Sequence, residues 1–190
     1  MTTVPIPPWT ALGVLPAIDA ARPTSPERSP YPVSLLDVVT RFGTSPERQA
    51  ILGGFLGYRA ELHRLGLKEG FQWLDGSFLE RVEVAEGRAP RDMDVVTFFH
   101  TPATLALTAE DARLFDQAVA RERFQVDAYF VDLDQLSPRE LSFWSAYWYS
   151  MWSHRRSLAW KGYLQVELAP DEDEEALERL SRNDAPGEPS

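Results

Sequence analysis

Hydrophobic positions along the chain fall into segments of two different periods. Ile51, Phe55, Tyr58, Leu62 and Leu65 recur at helical spacing and make one apolar face. Ser45 stands as N-cap, Pro46 at the first helical position and Gly66 just past the end, so a helix is predicted over about 46–65. "SLLDVVTR" predicts a shorter helix around 34–41. "GFQWLDG" and "MDVVTFFH" are rich in β-branched and aromatic residues and predict strands of about 71–75 and 93–99. Between them, 77–91 predicts a short helix or turn and then a loop through "EGRAP".

Thr108 and Asp111 form a capping-box pattern that predicts a helix over about 109–122, and "FQVDAYFVD" predicts a strand over about 124–131. Ser137 and Glu140 form a second capping box, opening a helix to about 154. That helix carries Phe143, Trp144, Tyr147, Trp148, Met151 and Trp152, more than one apolar stripe. Core packing is expected of it, and any part left exposed would serve as a homodimer or protein-partner interface, or stack a base. Leu164, Val166 and Leu168 alternate as a final strand. The acidic start of "DEDEEALERLSRNDAPGEPS" suits a turn or two of helix, and its last residues read as disordered. Interleaved helices and strands predict an α/β or α+β domain whose sheet of at least four strands is covered mainly on one side.

Eight of the fifteen prolines lie in residues 1–32, which excludes a regular helix or central strand there. The segment reads as an extended arm strapped to the body by Ile6, Trp9, Leu12 and Leu15. Three parts follow: an arm over 1–32, one domain over 33–169, and an acidic tail over 170–190. The tail holds eight acids against two bases, so most of the net charge of −10 belongs to it. That balance argues against a surface that coats nucleic acid, while leaving room for a local basic site in the body. The absence of cysteine excludes thiolate chemistry and cysteine-bearing metal sites. With no apolar run long enough for a bilayer and no signal-peptide pattern at the start, a cytoplasmic protein without membrane contact is expected.

The chemistry concentrates in "LDGSFLERVEVAEGRAPRDMDVVTFF", residues 74–99. Strand alternation sets Asp92 and Asp94 on the same side, where two carboxylates repel unless a cation joins them. Oxygen donors alone suit Mg²⁺ or Mn²⁺. The other reading is a polar loop that precedes a strand, since turns favour Asp. Asp127, in the middle of an apolar strand, needs a partner and would complete a three-carboxylate cluster if the two strands are neighbours. Gly76 and Ser77 suit a phosphate, through backbone N–H groups and the hydroxyl. Lys161, Arg155, Arg81 and Arg91 are candidates to reach phosphates; a solvated helix end is the plainer reading of His154, Arg155 and Arg156.

Taken in order, "LDGSF", "PRDMDVV" and "QVDAYF" resemble the nucleotidyltransferase superfamily that includes the polymerase-beta-like and minimal nucleotidyltransferases. With "IPPW", "GVLP", "RFGTSPERQAIL" and a late "KG", residues 4–168 resemble an uncharacterised bacterial family of stand-alone proteins with that fold. The resemblance implies an α+β nucleotidyltransferase-like fold with a mixed sheet of about four to five strands flanked by helices. It further implies Mg²⁺- or Mn²⁺-dependent transfer of a nucleoside monophosphate from an NTP to an acceptor hydroxyl, on a protein, an RNA end or a small molecule. Gly76 and Ser77 would bind the triphosphate; Asp92, Asp94 and Asp127 would hold the metals, and Asp127 would help activate the acceptor. Some stand-alone members act in toxin–antitoxin or phage-defence settings. A non-catalytic nucleotide-binding or interaction module that keeps the fold is the alternative. The chain departs from the minimal pattern in the fourteen residues between Ser77 and Asp92, and in having Ser as the second small residue.

Overall fold

Helix boundaries follow the caps. Ser34 and Ser45 accept hydrogen bonds from the backbone N–H groups of Asp37 and Arg48 and open α1 (Leu35–Phe42) and α2 (Pro46–Arg64). Both expected helices form. The computed structural model describes residues 2–183; the expected disorder of the last residues falls on 184–190, outside that range.

Among the described residues the strands form one mixed five-stranded sheet in the order β1-β5-β2-β3-β4. They are β1 (Tyr31–Pro32), β2 (Gly70–Asp75), β3 (Met93–Phe99), β4 (Val126–Asp132) and β5 (Leu164–Glu167). β2 runs antiparallel to both β3 and β5, whereas β3 and β4 are parallel, and so are β1 and β5. With helices around this sheet, the class is α+β. Two-residue β1 closes the arm onto the sheet edge, where Pro32 costs no central ladder bond. Within the arm Leu15 is buried and Ile6 and Trp9 pack against the core, but Leu12, expected as a fourth anchor, is 60% exposed.

The helix expected over 109–122 is broken. α4 (Ala109–Ala112) runs into a 3₁₀ turn, and Asp116 then turns extended and caps α5 (Gln117–Phe124) by accepting from the Ala118 and Val119 N–H groups. A short polar residue that hydrogen-bonds ahead of itself is a better cap than a helix interior residue. The strand start also moves: Phe124 ends α5 and Gln125 sits in the left-handed region at φ 55°, so β4 begins at Val126. After the Gly76-Ser77 turn comes the four-residue α3 (Val82–Ala85). α6 (Pro138–Trp152) carries its expected capping box. α7 (Asp173–Asn183) is longer than the expected turn or two, because Ala176 and Leu180 bury against the body and add tertiary packing to a marginal helix. No helix among the described residues is long and apolar enough to cross a membrane.

Alternation along the strands divides the sheet into two faces. Gln72, Leu74, Val95, Thr97, Ala128 and Val166 point to one, beneath α2 and α5, where Tyr58 meets Phe124 and Phe130. Trp73, Asp75, Asp94, Val96, Asp127 and Tyr129 point to the other. α6 covers part of that second face, with Trp148 against Tyr129 and Trp152 against Tyr163. Core packing of α6 holds for Trp148 and Trp152, while Phe143, Tyr147 and Met151 remain exposed on its outer side.

A buried arginine ties the covered face to the C-terminal helix. Arg59 of α2, 1% exposed, donates to the Gln72 side chain, to the Asp173 carboxylate and to the carbonyls of Glu167, Leu168 and Ala169. Gln72 in turn donates to Thr97. Arg59→Ala strands this polar set in the interior, so it is expected to lower the unfolding free energy by about 3–5 kcal/mol, measured as a fall in the urea midpoint with unchanged slope. A loss under about 1 kcal/mol would show that the network contributes no more than a surface pair.

Candidate active site

The sheet register assembles the site. Asp75, the last residue of β2, is paired with Asp94 on β3, and Asp94 is paired with Asp127 on β4. Three aspartates therefore form a row across three adjacent strands, on one face. Asp92 lies just before β3 and Gly76-Ser77 just after β2. The long spacer from Ser77 to Asp92 is thus no obstacle: antiparallel pairing returns its two ends to the same edge, and the 3₁₀ turn and α3 take up the slack between them.

Asp94 is half-buried, and burial, reinforced by the charges of Asp92 and Asp127, pushes its carboxyl up to about 6. The three aspartates expected from the sequence are therefore electrostatic neighbours. They do not close into a finished cage: no group of three or more His, Asp or Glu side chains among the described residues is arranged to hold a metal ion. Instead a guanidinium stands among them. Arg121 of α5 lies 2.6 Å from the Asp127 carboxylate and 3.4 Å from that of Asp92. Tyr129 donates its hydroxyl to Asp127, at 3.2 Å.

Gly76 has φ +89°, a conformation that favours glycine, and a Cβ there would lie 3.0 Å from Oδ2 of Asp94. The glycine lets the Asp94 carboxylate rest on the turn. The Gly76 backbone also favours the charged form of the Asp75 carboxylate, against the burial that raises it. Ser77 is half-buried, and its hydroxyl has no hydrogen-bond partner among the described residues, so it is available to a ligand.

The structure assigns two of the expected phosphate-binding cations elsewhere. Lys161 is buried and donates to both oxygens of Asp75, at 2.6 and 2.7 Å, with Glu80 at 3.6 Å. Arg155 pairs with the same Glu80. A carboxylate taken out of water must be paired, and these two cations are committed to that task. Burial raises the Asp75 carboxyl and Lys161 pulls it back down. Arg81 is exposed but lies over the Trp9 ring, 5.5 Å from its centroid, held against the arm. Arg91 is exposed beside Asp92.

The turn itself is braced from both sides. Arg48 of α2, 2% exposed, donates to the carbonyls of Phe78 and Glu80 and to Glu83. From the arm, Trp9 donates to the Leu79 carbonyl, and Gly13 accepts from the Arg81 N–H. Leu15 accepts from the Gly162 N–H, next to Lys161. The arm is therefore a structural part of the site's support.

Asp75 and Arg121 are the residues that sequence reasoning missed. Asp75 stands in "LDGS" and reads as the end of a strand; its signal was the second polar residue in an apolar run, directly before the glycine. Arg121 lies within a helical stretch of alternating charge and carried no signal.

The clefts of the molecule include one of about 510 Å³ lined by Lys68, His100 and Asp134, at the end of β3 away from the aspartate row. Comparison with curated proteins and with solved structures finds no match. A family model matches residues 7–167, a span that takes in most of the arm, the Gly76-Ser77 turn, all four aspartates and β5. The chain therefore belongs to that family, described as a family of unknown function (DUF6932).

Proposed function

We propose that the protein is a divalent-metal-dependent nucleotidyltransferase that moves a nucleoside monophosphate from an NTP to an acceptor hydroxyl. The observation that carries this reading is the juxtaposition of Asp92, Asp94 and Asp127 beside the Gly76-Ser77 turn, with a cationic guanidinium held among the carboxylates. That order of residues and that register accord with the nucleotidyltransferase-like α+β fold inferred from the motifs.

The donors fit a hard divalent ion. They are carboxylates only, burial and then the charges of Asp92 and Asp127 raise the Asp94 carboxyl, and Arg121 stands in for a cation between two of them. Asp92, Asp94 and Asp127 would hold Mg²⁺ or Mn²⁺, which when bound supplies charge stabilisation at the phosphate oxygens. Ser77 offers its hydroxyl to the triphosphate. The acceptor oxygen forms a bond to the α-phosphorus as the bond to pyrophosphate breaks, and Asp127 accepts the acceptor's proton on a carboxylate oxygen. Lys161 and Asp75 keep the end of β2 in place rather than touching the nucleotide. A cysteine-free, NTP-consuming chain suits a cytoplasmic setting, and a second copy or protein partner would dock on the exposed stripe of Phe143, Tyr147 and Met151.

One observation favours a second reading, a non-catalytic module that keeps the fold: the cations expected at the phosphates are spent on Asp75 and Glu80. The two readings separate when the protein is incubated with each α-labelled NTP and Mg²⁺ or Mn²⁺, alone and with RNA or protein acceptors. Label transfer is expected, reduced roughly 100-fold or more in Asp92→Ala and Asp94→Asn. No transfer and no thermal stabilisation by any NTP–ion pair would reject the enzyme.

Asp94→Asn is also expected to stabilise the metal-free protein by about 1–3 kcal/mol at neutral pH. The folded-state pKa of about 6 lies above the ordinary 3.8, so folded wild type binds the Asp94 proton more tightly than the unfolded chain does. Wild type accordingly loses stability relative to the variant as pH rises from about 4 to about 6, and the gap stays constant above that. Urea titrations in chelator at pH 4, 5, 6 and 7 check this; a gap that does not widen with pH would remove the electrostatic account of Asp94.

A further inference from the structure

Arg121 has no part in the reaction as derived so far, yet among the described residues its 2.6 Å contact with Asp127 is the closest ion pair made by the three carboxylates that would hold the metal. We infer that Arg121 is an exchangeable counter-ion, displaced from Asp92 and Asp127 by the incoming divalent ion and then available to bind the phosphates of the ion-bound nucleotide. This rests on the nucleotidyltransferase reading above and assigns the phosphate-binding cation that Lys161 was expected to supply.

Three observations carry it. First, the contacts of Arg121 are to the two carboxylates that would bind the metal, so guanidinium and ion cannot both have them. Second, Arg121 is 56% exposed, at the last turn of a surface helix, so its side chain swings into solvent without uncovering core. Two neighbouring cations lack that freedom, Lys161 buried on Asp75 and Arg155 tied to Glu80, while Arg123, as exposed as Arg121, pairs with Glu61 outside the row. Third, the exchange solves two electrostatic problems in turn. Without the ion, the guanidinium offsets the repulsion among Asp92, Asp94 and Asp127. With the ion, Arg121 is left beside the place where the triphosphate arrives, and its planar fork suits phosphate oxygens. No covalent step is involved.

The test uses the full chain and two probes. Mn²⁺ binding to the free protein is followed by electron paramagnetic resonance, and binding of inorganic tripolyphosphate at saturating Mn²⁺ by calorimetry. Removing the competitor in Arg121→Gln is expected to tighten Mn²⁺ about fivefold, the value of a half-exposed ion pair, and to weaken tripolyphosphate by about fivefold or more. Arg121→Lys keeps the charge but loses the fork, so it should fall between wild type and Gln for both probes; it also serves if the Gln variant does not fold. Mn²⁺ affinity unchanged or weakened in Arg121→Gln would overturn the exchange while leaving the metal site standing. Tripolyphosphate affinity unchanged would overturn the phosphate role. Failure of both wild type and variant to bind Mn²⁺ would reject the metal site itself, and the inference with it.

Discussion

Strand β3 is shared by two neighbours of opposite sense, and the rest of the site depends on how its register is set. Antiparallel pairing opposes Asp94 to Asp75, and parallel pairing opposes it to Asp127. A slip of one residue on either side would turn a carboxylate into the core beneath α2 and α5. Burial forbids that slip, because Asp94 is the only residue of β3 that is not fully buried, while Thr97 must stay on the covered face to accept from Gln72. The carboxylate row is thus a consequence of burying the other side of the same strand.

Like charges placed so closely need compensation, and the molecule supplies it in two different ways. At the inner end, Asp75 is fully paired with Lys161, and Glu80 with Arg155, in an interior where an unpaired charge would be costly. At the outer end, Asp92 and Asp127 share one half-exposed arginine. Between them Asp94 has only distant help, and its carboxyl is driven up by burial first and then by the charges of Asp92 and Asp127. Structural pairing thus gives way to exchangeable pairing across the width of the row, which is where a ligand of high charge can enter.

The braces of the Gly76-Ser77 turn come from distant parts of the chain. Arg48 holds it from α2, the Trp9–Gly13 segment from the arm, and the carboxylate of Asp94 rests on Gly76 itself. The prolines of the arm, which excluded regular structure there, keep it extended as a strap that reaches both this turn and Gly162. The exposed stripe of α6 stands apart from these supports, since Trp148 and Trp152, with Trp144 and Tyr149 beside them, are the aromatic residues that pack on the body.

Most elements were legible because local physics decides them. Serine caps, prolines at helix starts, the period of the apolar residues and the alternation of Leu164, Val166 and Leu168 act over a few residues, and each produced the element it predicted. Where a competing local bond existed, as at Asp116, the periodic pattern did not reveal the break. Asp92, Asp94 and Asp127 were legible as candidates because carboxylates in apolar strands need a reason. What they face was decided by tertiary structure alone. Whether Lys161 meets a phosphate or Asp75, and whether Arg121 meets solvent or the carboxylates, depends on strand order and helix placement. Those are set by burial across residues far apart in the chain, and no spacing along the sequence encodes that distance.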